Sequence, residues 1–300
     1  AQMMAALTIP TVTGEIREDE PMSRHTSWRV GGPARVFFKP DSLDDLSQFL
    51  GSLDASVPVF WFGLGSNLLV RDGGLDGVVI ATAGTFNVLK KLRDHRVRAG
   101  ASVACTKLAR QCIRWGFGPS EFFAGIPGLL GGALAMNAGA HGGETWERVR
   151  SVQTIDRFGE IRRRFPDEYE IAYRNVRGPA DEWFVEAELE FDPAVAANMD
   201  TMKEMLARRK DTQPLGQPTC GSVFRNPPGD FAARLIEASG LKTCRIGDAE
   251  VSEKHANFIV NLGEASALDI ENLIRYVQQT VADQTGVELI PEVRIVGKEL

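Results

Sequence analysis

Between Phe184 and Phe191 the chain alternates: Val185, Ala187, Leu189 and Phe191 stand opposite Glu186, Glu188 and Glu190, the period of a strand with one buried and one wet face. A different period governs 43–53. Leu43, Leu46, Phe49, Leu50 and Leu53 share one helical face behind Ser42, a suitable N-cap, so a helix covering a sheet is expected there. The apolar run 57–62 predicts a short buried strand. Further short strands are expected at 78–81, 96–99 and 151–156, with a turn at 157–160 and one interrupting helix over 106–115. Asp192-Pro193 then breaks the pattern. Val195, Met199, Met202 and Leu206 recur at helical spacing toward Arg208-Arg209-Lys210, and Gln213-Pro214 stops that helix. Beyond Pro214 the chain reads as a loop, a strand at 255–261, a helix from Ser266 with Ile270, Leu273, Ile274, Val277 and Val281 inward, a stop at Gly286 and a closing strand at 293–296.

This pattern predicts an α+β protein without internal repeats or low-complexity segments. Residues 1–20 read as a loose N-terminus, 21–192 as a first domain splitting into two subdomains near 80, and 193–300 as a smaller α+β domain. The length of 300 residues agrees with a prior of about two domains. Lys and Arg number 34 against 40 Asp and Glu, a net charge of −6, which argues against a general nucleic-acid or anionic-membrane surface. Anion binding must then be local. Cys105, Cys112, Cys220 and Cys244 form no CxxC pair and show no zinc spacing, as expected of reduced thiols in a cytoplasmic protein. The four histidines lack clustered ligand spacing, so no metal is expected. Neither a signal peptide nor an apolar run of about 20 residues is found, so no membrane insertion is expected.

Within 121–143, glycines at 125, 128, 131, 132, 139, 142 and 143 expose backbone amides along an apolar stretch. Such amides can approach a phosphate or a flat heteroaromatic edge, so a large, flat, anionic ligand is expected against them. Tight turns alone would not need the apolar flanks Leu129-Leu130 and 133–136. A second cluster, Gly63-Leu64-Gly65-Ser66-Asn67-Leu68, leaves the 57–62 strand. It lacks the Lys-Ser/Thr of a P-loop and the third glycine of the dinucleotide fingerprint. No helix follows it, so a Rossmann unit has no place for its pyrophosphate. Any dinucleotide here binds to another fold.

Several polar residues could carry chemistry. Ser222, in Cys220-Gly-Ser-Val-Phe-Arg-Asn-Pro-Pro228, is either a turn serine bonded to local backbone or a proton donor. GxSxG is absent, which argues against a hydrolase nucleophile. Arg174, after Tyr173, could clamp a carboxylate or form a surface ion pair of little worth. Glu292 enters the last strand and points into a cleft or to water. Lys210 could meet a diphosphate or belong to a solvated charge run.

Taken together, these blocks resemble the UDP-N-acetylenolpyruvoylglucosamine reductase family from about Ser23 to Gly297. The similarity rests on 25–32, 63–74, Gly125-Ile-Pro-Gly128 with Met136-Asn-Ala-Gly-Ala140, Tyr173-Arg174, 220–227, 251–261 and 292–297, in that order. It implies noncovalent FAD in a domain of the PCMH or vanillyl-alcohol-oxidase type and a C-terminal substrate domain. By the same resemblance, Gly63 to Leu68 lie at the pyrophosphate, and Gly125, Ile126, Pro127, Gly131, Gly132, Asn137, Ala138 and Gly139 lie along the cofactor. NADPH and then UDP-N-acetylenolpyruvoylglucosamine are expected in one shared cleft, with no oligomer required, for peptidoglycan synthesis. Flavin N5 would deliver hydride to C3 of the enolpyruvyl group, Arg174 and Glu292 would stabilise the enolate, and Ser222 would protonate C2. Tyr173, Lys210, Asn226 and Lys254 would touch substrate. Ala233, Thr243 and Asp248 stand where the family has glycine, which leaves the shape of the 231–250 loop open. The short 175–182 connection resembles the branch without a closing insertion, so an open cleft is expected. Two other readings are a flavin oxidase of the same fold, which would have no enolate to protonate, and a nonenzymatic nucleotide-binding module.

Overall fold

The computed structural model describes residues 10–300. The chain opens with β1 (Glu15–Pro21), β2 (Pro33–Lys39), α1 (Leu43–Ser52), β3 (Val59–Phe62), β4 (Leu68–Val70) and β5 (Leu75–Ala81). The first sheet has the order β1-β2-β5-β3, antiparallel between β1 and β2 and parallel elsewhere. α1 covers it with Leu46, Phe49 and Leu50, and Ser42 Oγ accepts the Asp45 N–H at 3.1 Å as its cap. β1 corrects the expectation of a loose start over its part of 1–20; residues 1–9 lie outside the described residues. Its sequence, Glu-Ile-Arg-Glu-Asp-Glu-Pro, hides the strand because an edge strand exposed on most positions needs charge, not alternation. β3 is also less buried than expected. Only Phe62 is fully covered, because the strand forms part of a cleft wall.

A second sheet comes next, built from β6 (Leu89–Lys91), β7 (Arg96–Gly100) and, beyond α2 (Cys105–Arg114) and α3 (Leu130–Met136), from later strands. Two short hairpins belong to this part: β8 (Gly139–Ala140) with β9 (Gly143–Glu144), and, after β10 (Val149–Asp156) and β11 (Ile161–Arg164), β12 (Glu170–Ala172) with β13 (Asn175–Arg177). β14 (Glu182–Glu190) completes the sheet order β11-β10-β14-β7-β6. The alternation read in 184–191 holds. Val185, Ala187 and Leu189 are buried, and Glu186 and Glu188 meet Arg98 and Arg96 across the strand pair. α3 is a helix the sequence did not reveal, since glycines at its second and third positions masked its period.

α4 (Met199–Thr212) begins at Asn198, whose side chain caps it, so Val195 lies before the helix and not on its face. Met202 is buried in the core of the second sheet with Leu108, Phe117 and Phe123. The helix therefore packs on the first domain, although the sequence boundary at 193 assigns it to the second. The remaining elements are β15 (Thr219–Ser222), α5 (Ala232–Ala238), β16 (Arg245–Ile246), β17 (Ala249–Val251), β18 (Phe258–Asn261), α6 (Ala267–Thr285) and β19 (Arg294–Val296). They form a sheet ordered β15-β18-β17-β16 beneath α6, which Ser266 caps and Gly286, at φ 72°, ends. α5 was not expected within 231–250, and Thr243 there takes the left-handed φ of +63°.

The two parts interlock. β19 pairs in parallel with β4, and Trp28 is buried in the C-terminal core, its Nε1 donating to Ile259 O at 2.8 Å. Asn261 Nδ2 returns a bond to Trp28 O at 2.9 Å.

Candidate active site

Two cavities of about 740 and 840 Å³ share Ser66, Asn67, Leu129, Gly132 and Met136, and so form one continuous cleft. The glycine loop 63–68 lines the first cavity. Gly65 has φ +59°, and a Cβ there would fall 2.5 Å from His25 O, so the loop needs glycine at that point. A Cβ at Gly132 would meet nothing within 4 Å beyond the backbone of its own helix and its chain neighbours. That glycine leaves an open surface of backbone on the cleft, suited to a close, flat ligand.

The second cavity brings Ser222, Arg174 and Glu292 to one place from three separate elements. Ser222 ends β15 opposite Phe258 of β18. Glu292 precedes β19; its N–H donates to Val223 O at 2.7 Å, and its O accepts from Asn67 Nδ2 at 3.1 Å. Arg174 stands in the two-residue turn of the β12-β13 hairpin, at φ +52°. That conformation is costly for a long side chain and persists because the surroundings hold it. Arg174 Nη2 donates to Gly139 O at 2.6 Å and Nη1 to Asn137 O at 3.3 Å, while Nε lies 3.6 Å from Glu292 Oε2. Both side chains are largely buried, 17 % and 15 % exposed. Burial raises the Glu292 carboxyl above its ordinary range, against the pull of Arg174 and Arg225.

The family profile described as the UDP-N-acetylenolpyruvoylglucosamine reductase C-terminal domain matches residues 213–296, and that of the FAD binding domain matches 34–164. A UDP-N-acetylenolpyruvoylglucosamine reductase of Alkalilimnicola ehrlichii is 58 % identical over 286 residues, 95 % of this chain and 96 % of its own length. The chain belongs to the UDP-N-acetylenolpyruvoylglucosamine reductase family. A second relative of the same name, from Methylococcus capsulatus, is 56 % identical over 98 % of this chain and 97 % of its own. The crystal structure of the reductase from Thermus caldophilus superposes with a TM-score of 0.80 at 31 % identity, covering 96 % of this chain and all of that one.

Set against this family's expected contacts, the cofactor residues divide. Gly63, Leu64, Gly65, Ser66, Asn67, Leu68, Gly131 and Gly132 line the first cavity; Gly125, Ile126, Pro127, Ala138 and Gly139 line the second. Asn137 does not face the cleft. It is 1 % exposed, and its side chain bonds to Glu144, Ala172 O and the Trp146 N–H, so it ties α3 to both hairpins. Tyr173, Lys210, Asn226 and Lys254 do not line the cavity that holds Ser222. Tyr173 packs under the Arg174 guanidinium at 5.1 Å, Asn226 Oδ1 accepts the Ala232 N–H at 3.0 Å, and Lys254 Nζ donates to Lys210 O at 2.5 Å. Arg208 and Arg209 line the cavity instead. Arg209 meets one polar side chain, Gln213 Oε1 at 3.0 Å, and burial lowers its pKa. The basic run at 208–210 was the signal, and helical phase decides which member turns inward.

Proposed function

We propose that this protein is an NADPH-dependent flavoenzyme that reduces UDP-N-acetylenolpyruvoylglucosamine to UDP-N-acetylmuramate for peptidoglycan synthesis. The observation that carries this reading is the convergence of a hydroxyl, a guanidinium and a buried carboxyl on one cavity continuous with the glycine-lined cleft. Residues 63–68 and the stretch 125–139 would hold FAD, which would supply two-electron hydride-transfer chemistry between NADPH and the enolpyruvyl group.

The chain does the rest. Arg174, fixed by the carbonyls of Asn137 and Gly139, holds the substrate carboxylate and stabilises the negative charge that spreads over it and C2. Burial shifts Glu292 toward its protonated form relative to an exposed carboxyl, which favours proton donation to the enolate oxygen. Ser222 gives its hydroxyl proton to C2. Arg208 and Arg209 receive the anionic nucleotide portion, where the desolvated Arg209 guanidinium, with no carboxylate partner among the described residues, gains most from a diphosphate. NADPH and the nucleotide sugar use one cleft in turn. All these residues come from one chain, so the site requires no second copy, and an enzyme acting on these nucleotide substrates works in the cytoplasm. Among the described residues no helix is long and apolar enough to cross a membrane.

The test separates the two half-reactions. In Ser222→Ala, anaerobic bleaching of the flavin by NADPH keeps its wild-type rate, while recovery of colour on adding the enolpyruvyl nucleotide slows by about 10²- to 10⁴-fold. Equal loss in both halves removes Ser222 from the acid role. Bleaching by an alcohol, with no response to the nucleotide, would establish the oxidase reading instead.

A further inference from the structure

Trp61 of β3 and Trp183 of β14 lie face to face, ring centroids 5.3 Å apart and planes 3° from parallel. They come from two different sheets, and both are half-buried. Both also line the first cavity, the one without Ser222, Arg174 and Glu292. FAD has three parts in fixed order; Ser66 and Asn67 of the 63–68 loop line both cavities, whereas Ser222, Arg174 and Glu292 line only the second and the two indoles only the first. The catalytic groups mark the flavin end and the 63–68 amides the pyrophosphate. What remains is the cavity beside the two indoles.

We infer that the Trp61–Trp183 pair is an aromatic platform for the adenine of the cofactor, and that it makes this site favour FAD over FMN. The inference rests on the flavin reading above. At 5.3 Å between centroids the indoles leave no gap for a third ring, so adenine meets an outer face of the pair and does not insert. Each indole keeps the other flat, which presents that face without further ordering. Stacking of this kind tolerates any purine, so adenine selection by hydrogen bonding is not part of the inference.

The experiment measures FAD, FMN and ADP binding to full-length protein freed of flavin, for wild type, Trp61→Leu, Trp183→Leu and Trp61→Phe. Leucine at 61 or 183 should weaken FAD about 10-fold or more while FMN binding stays unchanged. Phenylalanine at 61, which keeps a smaller aromatic face, should fall between. ADP should quench tryptophan emission in the wild type and far less in Trp61→Leu. FMN binding reads the flavin and phosphate end alone, and wild-type protein that binds neither FAD nor FMN would sink the flavin reading and not merely the platform. Equal weakening of FAD and FMN in the leucine variants would mean that the pair only joins the two sheets. An unchanged FAD affinity would remove it from the cofactor altogether. Should the leucine variants fail to fold, Trp61→Phe decides alone, with wild-type preference for FAD over FMN counting against the platform.

Discussion

Gly139→Ala should uncouple the two half-reactions without replacing a charged residue. A Cβ on residue 139 would lie 2.3 Å from Gly143 O, 3.1 Å from Glu144 Cγ and 3.2 Å from Arg174 Nη1. The first distance is about 1 Å inside a tolerable contact, and it falls on backbone, which cannot swing aside. The β8-β9 hairpin must open, and it carries the Gly139 carbonyl that holds Arg174 Nη2 at 2.6 Å. Overpacking of this kind costs about 1–3 kcal/mol of stability. A displacement of about 1 Å in a clamp on the reacting group costs about 10²-fold in rate. Calorimetry should therefore show a melting temperature lower by several degrees, and stopped-flow spectroscopy a flavin reoxidation by the enolpyruvyl nucleotide slowed about 100-fold. Reduction by NADPH should stay within a few-fold of wild type. Equal slowing of both halves would place the lesion at the flavin and refute the argument through Arg174. Wild-type reoxidation would show that the hairpin does not set the guanidinium.

Three further variants probe charge and backbone. Glu292→Gln should lower activity yet raise thermal stability at neutral pH: the folded carboxyl has a raised pKa, so the native state loses stability as pH climbs out of the ordinary carboxylate range through that value, and glutamine removes this loss. The melting temperatures of the two proteins should converge in acid. Arg71→Gln should destabilise by about 2–4 kcal/mol at pH 7 in urea titrations, because Glu271, 3 % exposed and held by Arg71 at 2.9 Å through both oxygens, keeps only Arg275. The Arg71 hydrogen bonds depress the Glu271 pKa, so this contribution is present above the ordinary carboxylate range, disappears as pH falls through the folded value, and the two proteins should approach each other at low pH. Thr243→Gly should raise stability by up to about 1 kcal/mol in the same titrations, the left-handed penalty of about 1–2 kcal/mol exceeding the roughly 0.4–1 kcal/mol of added freedom in the unfolded chain.

Periodicity exposed the elements that bury one face against a core. α1, α6 and β14 each show their inward residues at regular spacing, and the helix caps are visible beside them. β1 and α3 were illegible for opposite reasons. β1 sits at a sheet edge and is covered with charge, while α3 carries glycines at 131 and 132 that a period search counts as breaks. The site shows the same division. Ser222, Arg174 and Glu292 were named from residue type and motif, since each stands in a distinctive block. Asn137 belongs to a block that lies along the cleft while its own side chain turns back into protein, which the sequence did not reveal. No spacing rule reports which way one residue in a tight turn faces. Lys210 and Arg209 illustrate the same limit on a helix: a basic run states that charge is present, and only packing decides which member enters the cavity.

The interlocking of the two parts bears on how the site opens. Ser222 and Glu292 belong to the C-terminal part, whereas the glycine loops and Arg174 belong to the first. A hinge between such parts would separate Ser222, the proposed proton donor, from the glycine loops with each opening. The chain prevents this with contacts that a hinge would have to break together. Trp28 is buried in the C-terminal core, β19 is registered on β4, and Asp72 accepts the Ala267 and Leu268 N–H groups at the start of α6 at 3.0 and 2.9 Å. Cys220, two residues before Ser222, donates its thiol to Gly65 O and Leu68 O at 3.6 and 3.5 Å, and burial pushes that thiol up to about 12, so it remains a neutral donor at working pH. The strand carrying the hydroxyl is thereby tied to the loop assigned to the pyrophosphate. On the proposed reading, exchange of ligands then needs no hinge between the two parts, and the side chains of Ser222, Arg174 and Glu292 keep their common cavity.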